Sequence, residues 1–262
     1  MSAISLIFVN YRSARYLESA LQSLFAQEKE EDFEIIISNN DAEETVTLHG
    51  LQARYPFTLV ENRGNIGFAA ACNRAAAQAS GEVIGFLNPD ILWREKLLPS
   101  IIAIVQNEQA VIGLSLLTTQ GLQQAYDHGH APTLSRLFLN HLLPRSLWRH
   151  ASTNLSLRSV DWVSGCTLFL PQALFSQLGG FDEDFFLYYE DIDLCMRAKL
   201  AGRPVWYASG FAVTHLGGKS QPSRASQKRA YFASQRRYFG KHRPLWERLL
   251  LPLFQKATRV FS

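Results

Sequence analysis

The sequence predicts an α/β protein built on a mostly parallel, doubly wound sheet, and three observations lead there. Short apolar runs alternate with helix-patterned stretches over residues 1–117, the order that strand–helix–strand units impose. The composition, 47% hydrophobic and 19% charged over 262 residues, is that of an ordinary globular domain with ample material for a core. No apolar segment is long enough to span a bilayer, and the run at 4–9 is too short and lacks the basic leader of a signal peptide.

Ser5–Val9, Phe33–Ile37, Phe57–Val60, Glu82–Leu87 and Ala110–Leu117 read as strands. Between the first four lie Leu17–Gln27, Glu43–Tyr55 and Ile66–Ala79, whose spaced apolar residues and helix formers predict helices. Gly121–His130 reads as a polar turn or hairpin and Leu134–Trp148 as helical. Gly179, after Pro171–Leu178, and Gly202, after Glu190–Ala201, stand where glycine ends a helix. Val205–Tyr207 and Phe211–Thr214 read as two short strands, and Pro222–Phe239 and Leu245–Phe261 as basic helices. The expected organisation is a first half at 1–117, a second half of the same domain at 118–220, and a basic amphipathic tail at 221–262.

Charge is distributed unevenly. From Lys219 onward eleven Lys and Arg stand against Glu247 alone, a balance of +10, so the first 218 residues carry −7 within a total of +3. A basic tail of this kind faces an anionic partner, membrane lipid or nucleic acid. Three widely spaced cysteines, Cys72, Cys166 and Cys195, form neither a zinc pattern nor a disulfide framework and point to a reducing cytosol.

In a doubly wound sheet ligands sit beyond the carboxyl ends of the strands. That rule draws attention to Asn10–Ser13, Ser38–Asp41, Glu61–Gly67 and Asn88–Asp90. Asp90 closes Phe86-Leu87-Asn88-Pro89-Asp90 at the end of an apolar strand, where it would point into the crevice; taken alone, it reads first as a turn residue with local hydrogen bonds. Between 182 and 193 six carboxylates are interleaved with aromatics, a mixture unlike a solvated acidic surface. Glu190 and Asp191 fall at a helix start, where the macrodipole favours ionised carboxylates, and a carboxylate in a partly apolar cleft suits a general base. Asp193 has the spacing of a helical ion pair with Arg197. His215 ends a strand before a glycine-rich turn, and by itself is a structural histidine more often than a metal ligand. Asn65-Ile66-Gly67-Phe68, with Asn73, offers close backbone approach before a helix N-terminus but matches no phosphate-loop pattern.

In this order the segments resemble the family 2 glycosyltransferases, especially the rhamnosyltransferase-like branch of bacterial polysaccharide biosynthesis. The matching residues are Val9-Asn10-Tyr11-Arg12-Ser13, Asn65-Ile66-Gly67-Phe68 with Asn73, and Leu87-Asn88-Pro89-Asp90. They continue with Trp162-Val163-Ser164-Gly165, Gly179-Gly180-Phe181-Asp182-Glu183, Tyr189-Glu190-Asp191-Ile192-Asp193-Leu194 and His215. The resemblance implies a GT-A fold, a Rossmann-like nucleotide half joined to an acceptor half. It implies an inverting transfer from a nucleotide diphosphate sugar, dTDP- or UDP-linked, to a saccharide or lipid-linked acceptor, at the cytoplasmic face of the inner membrane. Asp90 and His215 would be ligands to Mg²⁺ or Mn²⁺, Asp191 the base, and Glu190 its neighbour that orients it or binds acceptor. Asn10, Tyr11, Ser38, Asn39, Asp41, Asn65, Gly67, Asn73 and Asn88 would meet the donor, and Trp162 and Gly165 the acceptor. One departure concerns the nucleobase: relatives carry Asp at the end of the second strand, where this chain reads Ile37-Ser38-Asn39-Asn40-Asp41.

Two other readings compete. A sugar-nucleotide nucleotidyltransferase would carry a basic glycine-rich loop near its start, which Asn10-Tyr11-Arg12-Ser13 does not supply. A non-catalytic basic binding module would explain the tail but not the carboxylates, and nucleic acid is not expected as a partner. The tail intersperses cations with Tyr231, Phe232, Tyr238, Phe239, Trp246, Leu249–Leu251, Leu253 and Phe254. It either lies in a membrane interface or packs on the domain with a solvated basic face.

Overall fold

The computed structural model describes residues 3–142, 156–217 and 224–260. Strands β1 (Ile4–Asn10), β2 (Phe33–Asn39), β3 (Thr58–Glu61) and β4 (Val83–Leu87) alternate with helices α1 (Ala14–Gln27), α2 (Thr45–Gln52) and α3 (Phe68–Ala76). The chain continues through β5 (Ile91–Leu92), α4 (Leu98–Glu108), β6 (Val111–Leu117), β7 (His128–Gly129) and α5 (Leu134–Leu142). Beyond residue 156 come β8 (Leu157–Ser159), β9 (Trp162–Val163), β10 (Thr167–Pro171), α6 (Gln172–Gln177), α7 (Glu190–Leu200), β11 (Val205–His215), α8 (Arg224–His242) and α9 (Leu245–Val260). Part of the helix expected over 134–148 lies outside the described residues.

The sheet runs β3-β2-β1-β4-β10-β6-β11-β5, with β8 beside β11. β1 sits between β2 and β4, parallel to both, so the chain leaves β1 in opposite directions and opens a crevice at the strands' carboxyl ends. β1 and β4 are buried along their whole length, which explains unbroken apolar runs in place of alternation. Leu17, Leu21 and Leu24 of α1 pack with α2 and α4 on one face. On the other, α3, α6 and α7 bury Cys72, Leu174 and Leu194. Gly179 and Gly202 both adopt positive φ directly after α6 and α7, the left-handed geometry that glycine provides at a helix end.

One expectation needs correction. The two short strands at 205–207 and 211–214 are one strand, β11, interrupted by a register shift between Ala208 and Ala212; Gly210 lies within this bulge, where its lack of a side chain eases the bend. Gly121–His130 begins in a turn that an antiparallel bridge from Leu117 to Gln123 closes, and its end, β7, pairs with β9. The antiparallel strand β10, inserted between β4 and β6, has no counterpart in the sequence reading.

The acidic segment and the tail are packed together. Tyr238 and Phe239 of α8 are fully buried with Phe185, Tyr189 and Ile192, and Leu251 of α9 joins them. Arg237 meets Asp182 at 3.0 Å and also Asp184, while Lys241 meets Asp182 and Asp193 at 2.8 Å.

Candidate active site

The corner Asn88-Pro89-Asp90 leads from β4 into β5, and β5 pairs antiparallel with the end of β11, His215 opposite Ile91. This pairing brings together two residues 125 positions apart: His215 Nε2 lies 3.2 Å from Asp90 Oδ1, both side chains largely buried. The other ring nitrogen, Nδ1, is 2.8 Å from Gln124 Oε1. A partner there fixes the ring and turns Nε2 toward the carboxylate, as a supporting hydrogen bond does for metal-binding histidines. Burial pushes the imidazolium down, but hydrogen bonds to Asp90 and Cys166 outweigh it and the ring is pushed up to about 10. An imidazole that binds a metal gives up that proton.

The donor set bears on the expected cation. A carboxylate and an imidazole converge, and no group of three His, Cys, Asp or Glu that could hold a metal occurs among the described residues. Two protein ligands suit Mg²⁺ or Mn²⁺ that completes its shell with substrate phosphate oxygens and water. They do not suit a self-sufficient structural site. The residues therefore fit a cation that arrives with a diphosphate.

Glu190 and Asp191 occupy the first turn of α7. The turn before it places both Tyr188 and Tyr189 at positive φ, 71° and 68°, a strained backbone that the surroundings must hold. α8 holds it: Ser234 Oγ donates to the Leu187 carbonyl at 2.8 Å, and Gln235 Nε2 donates to the Tyr189 hydroxyl at 3.0 Å. Asp191 Oδ2 accepts the Gly165 N–H and Oδ1 the Ile192 N–H, each at 2.8 Å. Glu190 is buried and its Oε2 has no hydrogen-bond partner. Burial, then the charge of Asp191, raise Glu190 well above the carboxylate range. Asp191 is also raised by burial, against the pull of its backbone N–H partners. The environments differ: Glu190 is pushed up by burial and by the neighbouring charge, whereas two backbone N–H groups oppose the rise of Asp191.

A cavity of about 900 Å³ is lined by Trp162, Gly165, Glu190 and Asp191, and by Asn88, Gln124 and Cys166, the three residues that touch His215. Asn88 Nδ2 and Cys166 Sγ lie 3.4 Å and 3.9 Å from His215 Nε2, and Cys166 directly follows the Gly165 that binds Asp191. Trp162 is anchored by its indole N–H, 2.9 Å from the His130 carbonyl.

On the β1–β2 side the expected donor residues form a polar lattice. Ser13 Oγ donates to Asn10 Oδ1 at 2.9 Å, Asn10 Nδ2 to Asn39 Oδ1 at 3.0 Å, and Asn62 Nδ2 to Ser38 Oγ at 2.8 Å. Ser38 and Asn39 are fully buried within it. Asp41 differs: Oδ1 accepts the Glu43 N–H, whereas the buried Oδ2 has no hydrogen-bond partner among the described residues and lies 3.8 Å from Arg12 Nε. Tyr11 follows β1, its ring 5.5 Å below the Arg12 guanidinium. Asn65 Oδ1 accepts the Gly67 N–H at 3.0 Å, and Gly67 presses so close to Phe186 that an added Cβ would meet its carbonyl at 2.7 Å. Asn73 points its amide elsewhere: its N–H groups go to the Phe181 carbonyl and Glu183, and its oxygen to the Phe181 N–H. It clips the acidic segment to α3. The pair between Asp193 and Arg197 is present at 2.7 Å.

Several contributors had no sequence signal. Glu44 accepts N–H groups from Ser13 and Ala14 and the Asn10 amide, a role that depends on tertiary approach. Gln124 and Cys166 reach His215 from distant segments. His128, 2.7 Å from Asp127 and stacked on Tyr207 at 3.7 Å, lines the cavity as well.

Known proteins share stretches of this sequence and this fold. Residues 5–163 match the profile described as glycosyl transferase family 2. The chain is 27% identical over 269 residues to the rhamnosyltransferase WbbL of Escherichia coli (strain K12), covering 98% of this chain and 99% of that one. It is 28% identical over 234 residues to the N-acetylglucosaminyl-diphospho-decaprenol L-rhamnosyltransferase of Mycobacterium tuberculosis, covering 81% and 75%. Among solved structures, a mannosyltransferase from Pyrobaculum calidifontis in complex with GDP-Man and Mn²⁺ superimposes with a TM-score of 0.62 at 17% identity, over 91% of this chain and 63% of its own. S. aureus TarS in complex with UDP-GlcNAc gives 0.60 at 20%, over 91% and 65%. The shared architecture is the GT-A fold.

Proposed function

The chain belongs to glycosyl transferase family 2, and from that membership we propose that it is an inverting, metal-dependent transferase acting in cell-surface polysaccharide synthesis. The observation that carries the proposal is the meeting of Asp90 and His215 at 3.2 Å beside a cavity that holds Asp191. Mg²⁺ or Mn²⁺ held by Asp90 and His215 would neutralise charge on a departing diphosphate, a contribution of several kcal/mol.

The chain's own residues do the rest. Asp191, kept ionised by two backbone N–H groups, takes the proton of the acceptor hydroxyl. The hydroxyl oxygen bonds to the anomeric carbon from the face opposite the diphosphate, and the bond to the diphosphate breaks with its electron pair leaving on the phosphate oxygen. One displacement without a sugar–enzyme bond inverts the anomeric centre. Glu190, protonated beside Asp191, orients it or donates to the acceptor. Trp162 offers an apolar face to a sugar, and Gly165 holds Asp191.

For the donor, Asp41 is the base-reading group: its unpartnered buried oxygen is an acceptor awaiting a donor such as a pyrimidine ring N–H. Ser38, Asn39, Asn10 and Asn65 support that wall, and Asn88 meets the sugar side. The relatives named above carry rhamnosyl activity in their names, which favours dTDP-rhamnose over a UDP-sugar. An acceptor that is a lipid-linked saccharide at the cytoplasmic membrane face accords with the free thiols of Cys72, Cys166 and Cys195. Incubating the protein with dTDP- and UDP-sugars and Mn²⁺ tests the reading: slow release of one nucleotide diphosphate is expected, dependent on Asp90. Failure of every donor to release nucleotide overturns it.

A further inference from the structure

The tail of the chain is two different helices. In α8, Arg237 and Lys241 are taken up by Asp182, Asp184 and Asp193, so these two cations neutralise the protein's own acidic segment; Arg243, between the helices, pairs with Glu247 of α9 at 2.8 Å. α9 is otherwise. Leu245, Trp246, Leu249, Leu250 and Leu253 form one stripe at helical spacing, and Phe138 and Leu139 of the adjoining α5 extend it. All seven are between 45% and 67% exposed. A contiguous apolar ridge of this kind marks a contact surface. No helix among the described residues is long and apolar enough to cross a membrane.

Charge identifies what the ridge meets. Arg248 and Lys256 are exposed on α9, and Lys228 and Arg229 on α8, and none of the four has a carboxylate partner among the described residues. The tail's one acid, Glu247, is buried and already paired. Apolar side chains flanked by unpaired cations, with a tryptophan among them, match an anionic bilayer interface. They match neither an apolar protein pocket nor nucleic acid, which would leave the leucines in water.

Position adds a second argument. The same two helices wall the cavity with their other faces, through Arg136, Leu137 and Asn140 of α5 and Phe254 and Thr258 of α9. We infer that the α5–α9 ridge seats the protein on the surface of an anionic membrane, with the cavity mouth beside the headgroups. A lipid-linked acceptor then keeps its chain in the bilayer while its saccharide reaches Asp191. The acceptor route rests on the proposed transferase activity; the docking surface does not.

Flotation of the full-length protein with vesicles separates the cases. We expect binding to phosphatidylcholine vesicles containing roughly 30% phosphatidylglycerol, weak binding to phosphatidylcholine alone, and loss of binding as salt screens the cations. Leu249→Ser combined with Leu253→Ser lowers vesicle affinity roughly a hundredfold, because two exposed leucines no longer enter the interface. Arg248→Gln with Lys256→Gln lowers it on the order of twenty-fold on anionic vesicles only. Both double variants retain donor hydrolysis, which reports the fold and the transferase activity separately from docking. Equal flotation of wild type and leucine variant overturns the inference. So does a concentration-dependent dimer that the leucine variant abolishes, since a second copy then covers the ridge.

Discussion

Replacing Asp191 by asparagine removes the proposed base while keeping its shape, and the structure sets both expected effects. Asp191 matches two N–H donors, Gly165 at Oδ2 and Ile192 at Oδ1. Asparagine has one acceptor oxygen, so one N–H faces an amide NH₂ and goes unmatched, at a cost of about 1–3 kcal/mol. Removing a charge from beside buried Glu190 offsets part of that. The net change in melting temperature is therefore a few degrees, at ~2–4 °C per kcal/mol for a chain of this size. Turnover falls much further, by ~10²–10⁴-fold, the range for losing a positioned base. Single-turnover transfer to an acceptor gives the rate, and titration of the nucleotide diphosphate with Mn²⁺ gives donor binding, which stays unchanged. Turnover within threefold of wild type, with the fold intact, refutes the assignment of the proton to Asp191.

Other expected outcomes concern the packing around the site. Glu190 is raised by burial and by Asp191, so the folded state keeps a proton that the unfolded chain releases above about pH 4.3. That contribution is complete below the unfolded value and is lost as pH rises toward the folded one. Glu190→Gln therefore melts higher than wild type at neutral pH, and a gap that fails to widen between pH 4 and pH 8 refutes the cause. Asp193 behaves oppositely: burial raises it, but His242, Lys241 and Arg197 hold it down at about 2. Its contribution is present above the unfolded value near 4 and fades as pH falls toward 2. Asp193→Asn costs on the order of 3 kcal/mol at pH 7 in urea unfolding, with wild type and variant converging near pH 2. Gly180 sits at φ +73°, where an added Cβ would meet Asn73 Oδ1 at 2.7 Å. Gly180→Ala strains the backbone and loosens the Asn73 clip, lowering stability by ~1–3 kcal/mol; an unchanged urea midpoint contradicts this.

What the sequence revealed follows from where information is local. β1, β2, β4 and β6 are buried apolar runs, visible one residue at a time, and the strand-end rule leads from them to Asn10, Asp41 and Asp90. The glycines after α6 and α7 were legible because a helix end has its own chemistry. β10 was not legible: Thr-Leu-Phe-Leu-Pro is a short apolar run with a proline, and only its insertion between β4 and β6 makes it a central strand. β11 was read as two pieces because the bulge at Gly210 breaks the pattern while pairing with β6 continues across it. Glu44, Gln124 and Cys166 were invisible for the same reason, since each acts by reaching a residue from another part of the chain. Asn73 illustrates the converse. Its motif was recognisable, but which partner its amide serves depends on the fold.

The tail shows why net charge alone decided little. Its balance of +10 left a membrane helix and a packed one open, and the structure holds two unlike helices, α8 buried against the acidic segment and α9 with an exposed apolar stripe. α8 packs because the acidic segment ahead of α7 requires it: Ser234, Gln235 and Tyr238 fasten the turn that puts Tyr188 and Tyr189 at positive φ. That turn sets the direction in which Glu190 and Asp191 enter the cavity. Removing the chain after residue 220 would thus abolish activity through the site itself, whatever the tail does at a membrane. Substitutions confined to the exposed stripe of α9 leave that support untouched, and they alone separate holding the active-site turn from meeting lipid.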